Sequence, residues 1–156
     1  MAYARAALVI ATPIGSVTID AQGDFLTGLR IGTDAPGAAS PVLMSAAEQL
    51  LAYFAGDLRL FDLPLAPAGT ERGDALRAAM GAIPFGETLS YGALAQRCGS
   101  SARAIGQACA RNPFPIIIPC HRVLNAGGGL GAYSAGGGPA TKRWLLHHET
   151  KDTLLL

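Results

Sequence analysis

Glycine and proline set the first limit on this chain. They fill 20 and 10 of its 156 positions, and because neither sits comfortably inside a helix or a central strand, they cut the sequence into short elements joined by turns. No apolar run approaches the roughly 20 residues of a membrane span, and no heptad pattern survives the interruptions. Half of the residues are apolar and only 15% are charged, against roughly 25% in an ordinary soluble domain. A charge-rich disordered chain is excluded. The remaining reading is a turn-rich globule, either one domain of ordinary size or two small lobes sharing a core.

The first part reads as β structure. Ala7 to Ala11, Ser16 to Asp20 and Phe25 to Ile31 are short runs rich in Val, Ile, Leu and Thr, separated by Pro13-Ile14-Gly15 and Gln22-Gly23-Asp24, which predicts a three-stranded antiparallel meander. The N-terminal MAYARAALVIATPIG has the single Arg and short apolar run of a signal peptide, but the same run fits the first strand, so the chain is read as cytoplasmic. Asp34 to Ser40 is a Gly/Pro/Ala loop. Ser40 then offers an N-cap with Pro41 at the first helical position, Val42 to Phe54 carries apolar residues at helical spacing, and Gly56 marks the end. Phe61 to Pro67 alternates apolar residues with proline, as an extended connector does. Residues 1–67 are therefore taken as an N-terminal α/β supporting lobe and 68–156 as a second, mostly helical lobe, giving an α+β fold.

That second lobe is helical in short pieces. Thr70 caps a helix carrying Leu76, Ala79, Met80 and Ile83, which ends at Pro84-Phe85-Gly86. Ser90 caps Tyr91 to Arg97, Gly99 closes it, and Ser100 or Ser101 caps a further helix through Ala110. Two short helices on a tight turn have the spacing of a helix-turn-helix, and also of an ordinary helical hairpin. In the first reading Ala102 and Gly106 let the backbone approach nucleic acid and Arg103 projects from the first turn. Asn112-Pro113 is a turn, Phe114 to Pro119 a short buried run bounded by prolines, and Asn125 to Gly138, with seven glycines, a loop. That loop lacks the phosphate-binding pattern G-x-x-x-x-G-K-[ST]. A last helix starts at Pro139 and runs to Glu149.

Net charge is +1, but its distribution is uneven. Met1 to Glu87 holds five basic and nine acidic residues, whereas Thr88 to His148 holds six basic residues and no acid. Such polarity suits a second half that meets a polyanion.

Three cysteines, Cys98, Cys109 and Cys120, form no C-x-x-C pair, so neither a disulfide framework nor a structural zinc knuckle is expected. Cys98 and Cys109 read as inert buried thiols. Cys120 stands beside His121, and a thiolate needs a group to take the proton and steady the charge. His121 supplies that group, directly or through a water, and Glu149 on the following helix can hold the other imidazole nitrogen.

The block Ile116-Ile117-Ile118-Pro119-Cys120-His121-Arg122-Val123 resembles the active-site signature of the O6-alkylguanine-DNA alkyltransferases, the methylated-DNA–protein-cysteine methyltransferases, of bacterial type. The resemblance runs from about Tyr53 to Glu149, through Ile83 to Thr88, Ser90-Tyr91-Gly92, Ala102 to Gly106, Asn112-Pro113, Gly131 to Ser134 and Lys142 to Glu149. It implies DNA repair by direct reversal. An alkyl group on guanine O6, or on thymine O4, would pass irreversibly to Cys120, once per chain. His121 would remove the thiol proton through water, Glu149 would steady His121, and Asn112 would support the active-site backbone. Double-stranded DNA carrying alkylated guanine would be held in its minor groove by the helix-turn-helix, with contacts from Ser90, Ala102 and Gly106. Arg103 would fill the gap left by the flipped base and Tyr91 would help rotate the nucleotide. Tyr133, Ser134, Pro115 and Lys142 would form the substrate pocket. A monomer without cofactor or metal is implied.

Three departures from the family pattern stand out. Glu71 to Arg77 replaces a stretch that usually holds Phe-Gln and a Trp, bringing Arg72, Gly73 and Arg77, and Gly73 is expected to weaken its helix by roughly 0.5 to 1 kcal/mol relative to Ala. The Ser134 to Lys142 loop looks about two residues longer than usual and richer in glycine. The N-terminal half has no Cys or His, so the zinc site of some relatives cannot be built. Two other readings compete: a lesion-binding module without transfer, which usually lacks the cysteine, and a Cys-His hydrolase, which would need an oxyanion hole.

Overall fold

The computed structural model of the chain describes residues 5–32 and 39–154. The chain divides into two compact units, 1–66 and 67–156. Among the described residues no helix is long and apolar enough to cross a membrane.

In the first unit β1 (Arg5–Thr12), β2 (Gly15–Gln22) and β3 (Phe25–Ile31) form an antiparallel sheet in that order. The predicted meander is present, with each strand longer than or equal to its apolar run. Val9 faces Thr18 and Val17 faces Ile31, and a bulge falls between Asp20 and Ala21. Helix α1 (Pro41–Ala55) packs on the sheet, and its Leu43, Ala46, Leu50 and Tyr53 are fully buried, as are Val17, Ile19 and Leu26 of the strands. Gly56 ends α1 in the left-handed conformation at φ 85°, where a side chain would be strained. Ser40 sits at the N-cap position with Pro41 at the first helical position, but its hydroxyl makes no capping bond and is buried without a protein partner, so the cap is positional only. The Asp34 to Ser40 loop lies outside the described residues as far as residue 38. The extended connector is tied down: Leu26 and Leu65 form a parallel bridge, with Leu26 N–H donating to Pro64 O and Ala66 N–H to Leu26 O, both at 2.8 Å.

The second unit begins with α2 (Glu71–Gly81), capped by Thr70, whose hydroxyl accepts from Gly73 N–H at 3.0 Å. The helix stops two residues short of Ile83, which is buried in the turn that follows. Gly73 overturns the expected penalty. A Cβ at this position would stand 2.8 Å from Ala68 Cβ and 2.9 Å from the capping oxygen of Thr70, so the missing side chain is what lets the cap close. Strand β4 (Leu89–Ser90) leads directly into α3 (Tyr91–Arg97), and Ser90 Oγ accepts from Ala93 N–H. Ser100 N–H returns to Ala95 O across left-handed Gly99, the Schellman closure of α3. Ser101 rather than Ser100 then caps α4 (Ala102–Ala110). The helix-turn-helix spacing is thus realised.

Strand β5 (Val123–Leu124) pairs in parallel with β4, Leu89 opposite Val123 and Ser90 opposite Leu124. Two residues carry no periodicity, so this pair leaves no mark in the sequence. Its effect is large, because it fixes the start of α3 beside the turn that carries Cys120. Helix α5 (Pro139–Leu154) runs one turn beyond the expected end at Glu149.

Candidate active site

Cys120 opens a single turn of 3-10 helix, Cys120–Arg122, reached through the Phe114 to Pro119 segment. That segment is a coil of turns, with Ile118 N–H donating to Phe114 O at 2.9 Å, and Ile117 is only half-buried. Ile116, fully buried, has φ 76°, a left-handed backbone that costs a β-branched residue about 1–3 kcal/mol. Asn112 holds the segment together. Its amide Nδ2 donates to Ile118 O at 2.9 Å and to Cys120 Sγ at 3.3 Å, while its Oδ1 accepts from Phe114 N–H at 2.9 Å.

Behind the thiol lies a buried polar relay. Nε2 of His121 is 2.7 Å from Glu149 Oε2, and Glu149 is also gripped by Arg122, Nε to Oε1 at 2.8 Å and Nη2 to Oε2 at 3.0 Å. Arg122 Nη1 donates to Ile83 O at 2.6 Å, which secures the turn to the end of α2. Burial raises the Glu149 pKa, but the bonds from His121 and Arg122 outweigh it and hold the carboxyl well below its ordinary range. An ionised carboxylate only accepts, so His121 carries its proton on Nε2. Burial keeps the ring neutral despite Glu149, its pKa lying below the ordinary value, and Nδ1, bonded to no protein atom, presents a free lone pair.

Cys120 itself is pushed up by burial, with the Asn112 amide, the Lys142 charge and nearby backbone N–H groups pulling the other way. It rests as a thiol beside a neutral imidazole.

The thiol looks into a cavity of about 160 Å³, lined by Tyr91, Gly106, Asn112, Pro115, Tyr133 and Ser134 among others. Tyr133 is nearly buried and its hydroxyl has no protein partner. Gly131, at φ 71°, brings the loop against Tyr91: a Cβ there would lie 3.3 Å from the Tyr91 hydroxyl and 3.2 Å from Asn125 Oδ1. Lys142, read as a pocket residue, is not in the lining. It is fully buried, its amino group donates to Val123 O at 2.7 Å, and it lies 5.9 Å from the Tyr91 ring centroid. The terminal carbonyl of a two-residue strand needs a donor, and Lys142 provides it. Ser90 is occupied by its capping bond, and Ala102 and Arg103 are exposed on α4 outside the cavity.

Two features escaped the sequence. Cys109 lines the same cavity as Cys120, a position that its three-residue spacing from Gly106 on one helix could have signalled. Its thiol donates to Met80 Sδ at 3.6 Å and is pushed up to about 12 by burial and by Cys120. Arg122, present in the sequence reading only as part of the signature block, is the clamp that keeps the Glu149 carboxylate charged.

A thiol at the floor of a cavity with a helix-turn-helix as one wall is the arrangement of a protein that performs cysteine chemistry on nucleic acid. The family model described as 6-O-methylguanine DNA methyltransferase, DNA binding domain, matches residues 74–151. The methylated-DNA–protein-cysteine methyltransferase of Mycobacterium tuberculosis is 43% identical over 153 residues, covering 90% of this chain and 89% of the relative; that of Methanosarcina acetivorans is 50% identical over 93 residues, covering 58% and 60%. Among solved structures, M. tuberculosis OGT in complex with DNA aligns with a TM-score of 0.81 at 42% identity over 93% of each chain. M. tuberculosis O6-methylguanine methyltransferase aligns with a TM-score of 0.82 at 40% identity, over 98% of this chain and all of the other. The chain belongs to the methylated-DNA–protein-cysteine methyltransferase family, DNA-repair enzymes that bind DNA and move an alkyl group onto protein cysteine.

Proposed function

We propose that Cys120 is the residue that accepts the alkyl group, taking it from O6 of guanine in double-stranded DNA, and from O4 of thymine where that lesion fits. The observation that carries this reading is the thiol placed at the cavity beside a neutral imidazole that an ionised carboxylate holds in one tautomer. Sγ attacks the alkyl carbon in line, the carbon–oxygen bond breaks, and guanine leaves with its electron pair. The thiol proton passes through a water to Nδ1 of His121, and the imidazolium that forms is stabilised by Glu149. Asn112 donates to the sulfur as its charge develops. The product is a thioether, which water does not cleave, so each chain reacts once.

Residues 67–156 act as the DNA-binding and transfer lobe and 1–66 as its support. Helix α4 enters the minor groove with Ala102 and Gly106 facing the duplex, Arg103 takes the space of the extruded base, and Tyr91, with Ser90 at the same helix start, guides the nucleotide. Tyr133 and Ser134 close over the base, with Pro115 beneath. One chain supplies every group in this scheme, in keeping with a monomer acting in the cytoplasm without cofactor or metal.

The test is mass spectrometry after incubation with a duplex carrying O6-methylguanine. One added methyl on Cys120 is expected, and Cys120→Ser should bind the lesion yet gain no mass. Lesion binding without any methylation of the wild-type chain would make it a recognition module instead, and repeated turnover would refute both.

A further inference from the structure

A second concavity, about 680 Å³, lies between α2 and α4. Four arginines reach its walls: Arg72 and Arg77 from α2, Arg103 from α4 and Arg111 at the C-cap of α4. Among the described residues no acidic side chain is in the lining. The acids nearest in sequence, Glu71 and Asp74, are exposed on the first turn of α2, and the Asp74 carboxylate accepts from Ala68 N–H at 2.8 Å. Arg72 Nη2 donates weakly to Ser100 Oγ at 3.4 Å, so the start of α2 is tied to the turn of the helix-turn-helix. Arg77 is poised over the Phe114 ring, 5.6 Å from its centroid, which limits its rotamers without neutralising it. Thr70 and Ser101, the caps of both helices, also line the groove, so two helix N-termini with their partial positive charge open on the same space.

Like charges gathered in this way repel, and the gathering is relieved by a polyanion. Its placement favours one occupant. Gly106 and Cys109 turn one side of α4 toward the Cys120 cavity, while Arg103, Gln107 and Arg111, four residues apart, turn another side toward the groove. A strand that crosses the start of α4 to deliver a base to Cys120 brings its backbone to the arginines.

We propose that this groove holds the phosphodiester backbone of the strand beside the lesion, with Arg72 and Arg77 each contacting a phosphate. The inference rests on the reading that this chain binds alkylated DNA, and it gives a purpose to the two arginines that stand apart from the family pattern.

The test is the salt dependence of binding, read by fluorescence anisotropy on a duplex carrying O6-methylguanine, with the full chain in the Cys120→Ser background so that no transfer intervenes. Each phosphate contact contributes about 0.9 to the slope of log affinity against log salt. Arg72→Ala with Arg77→Ala should lower the slope by about 2, and Arg72→Lys with Arg77→Lys should keep it. An Ala variant with the unsubstituted slope, or a Lys variant that loses slope as the Ala variant does, would overturn the groove as a phosphate site. The outcome is separable from the transfer reaction: a wild-type chain that gains no methyl but shows the arginine-dependent slope sinks the alkyl-acceptor role alone.

Discussion

Glu149 Oε2 and His121 Nε2 lie 2.7 Å apart with both side chains shut off from solvent. The pair joins α5 to the 3-10 turn of Cys120, and its charge is balanced by Arg122, so a single carboxylate orders two side chains at once. Its position in the interior makes it both a structural link and the device that sets the imidazole tautomer.

The first consequence is a broad pH plateau. Burial lowers the His121 pKa from 6.5 and raises that of Cys120 from 9.0. In the proposed transfer the reactive pair is neutral thiol with neutral imidazole, which exists between those two values, so both shifts widen the window. Single-turnover transfer rates should stay flat from below pH 6.5 to above pH 9.0. A rate that halves near pH 6.5 would contradict the neutral, buried imidazole.

Stability should depend on Glu149 in a defined acid range. Its folded pKa lies below the ordinary 4.5, so its contribution is complete above that value and is lost as the pH falls toward the depressed one. Glu149→Gln leaves Arg122 buried without its counter-charge and should cost about 3–5 kcal/mol at neutral pH. Urea midpoints should show a constant gap between the two chains from pH 7 to about 5, narrowing below. A gap that widens on acidification would reverse the sign and refute the assignment.

Asn112→Ala removes the donor to Ile118 O and Cys120 Sγ and the acceptor for Phe114 N–H. The variant should lose about 1–3 kcal/mol, and the Cys120 thiol should titrate higher once the amide is gone. Thermal unfolding measures the first, and the pH dependence of iodoacetamide labelling at Cys120 the second. Unchanged labelling would reduce Asn112 to a turn residue.

Gly73→Ala is ordinarily a helix-stabilising change. Here the added Cβ meets Ala68 Cβ and the Thr70 hydroxyl at under 3 Å, so it should destabilise by about 1–3 kcal/mol. A raised melting temperature would show that the cap yields at little cost.

Most of the local structure was legible in the chain because local rules govern it. Ser90, Ser101 and Gly99 delimit α3 and α4, alternating apolar residues mark the meander, and the Pro119-Cys120-His121-Arg122 block marks the chemistry. Gly73 was misread because its neighbours across the cap, Ala68 and Thr70, are brought against it only once the helix has formed. Lys142 lies just outside the cavity lining for a similar reason: nothing in its flanking residues shows that its amino group donates to the carbonyl of Val123. The uneven charge was read correctly but cut in the wrong place, since Arg72 and Arg77 belong by sequence to the acidic part and by fold to the unit that carries nine basic and five acidic residues. Sequence alone determined where the helices begin and which residues to propose as reactive. Tertiary structure decided that a two-residue parallel pair would seat α3 beside Cys120, that one carboxylate 28 positions away would set the imidazole, and that four arginines would share a groove, because each of these depends on contacts between segments that no local propensity encodes.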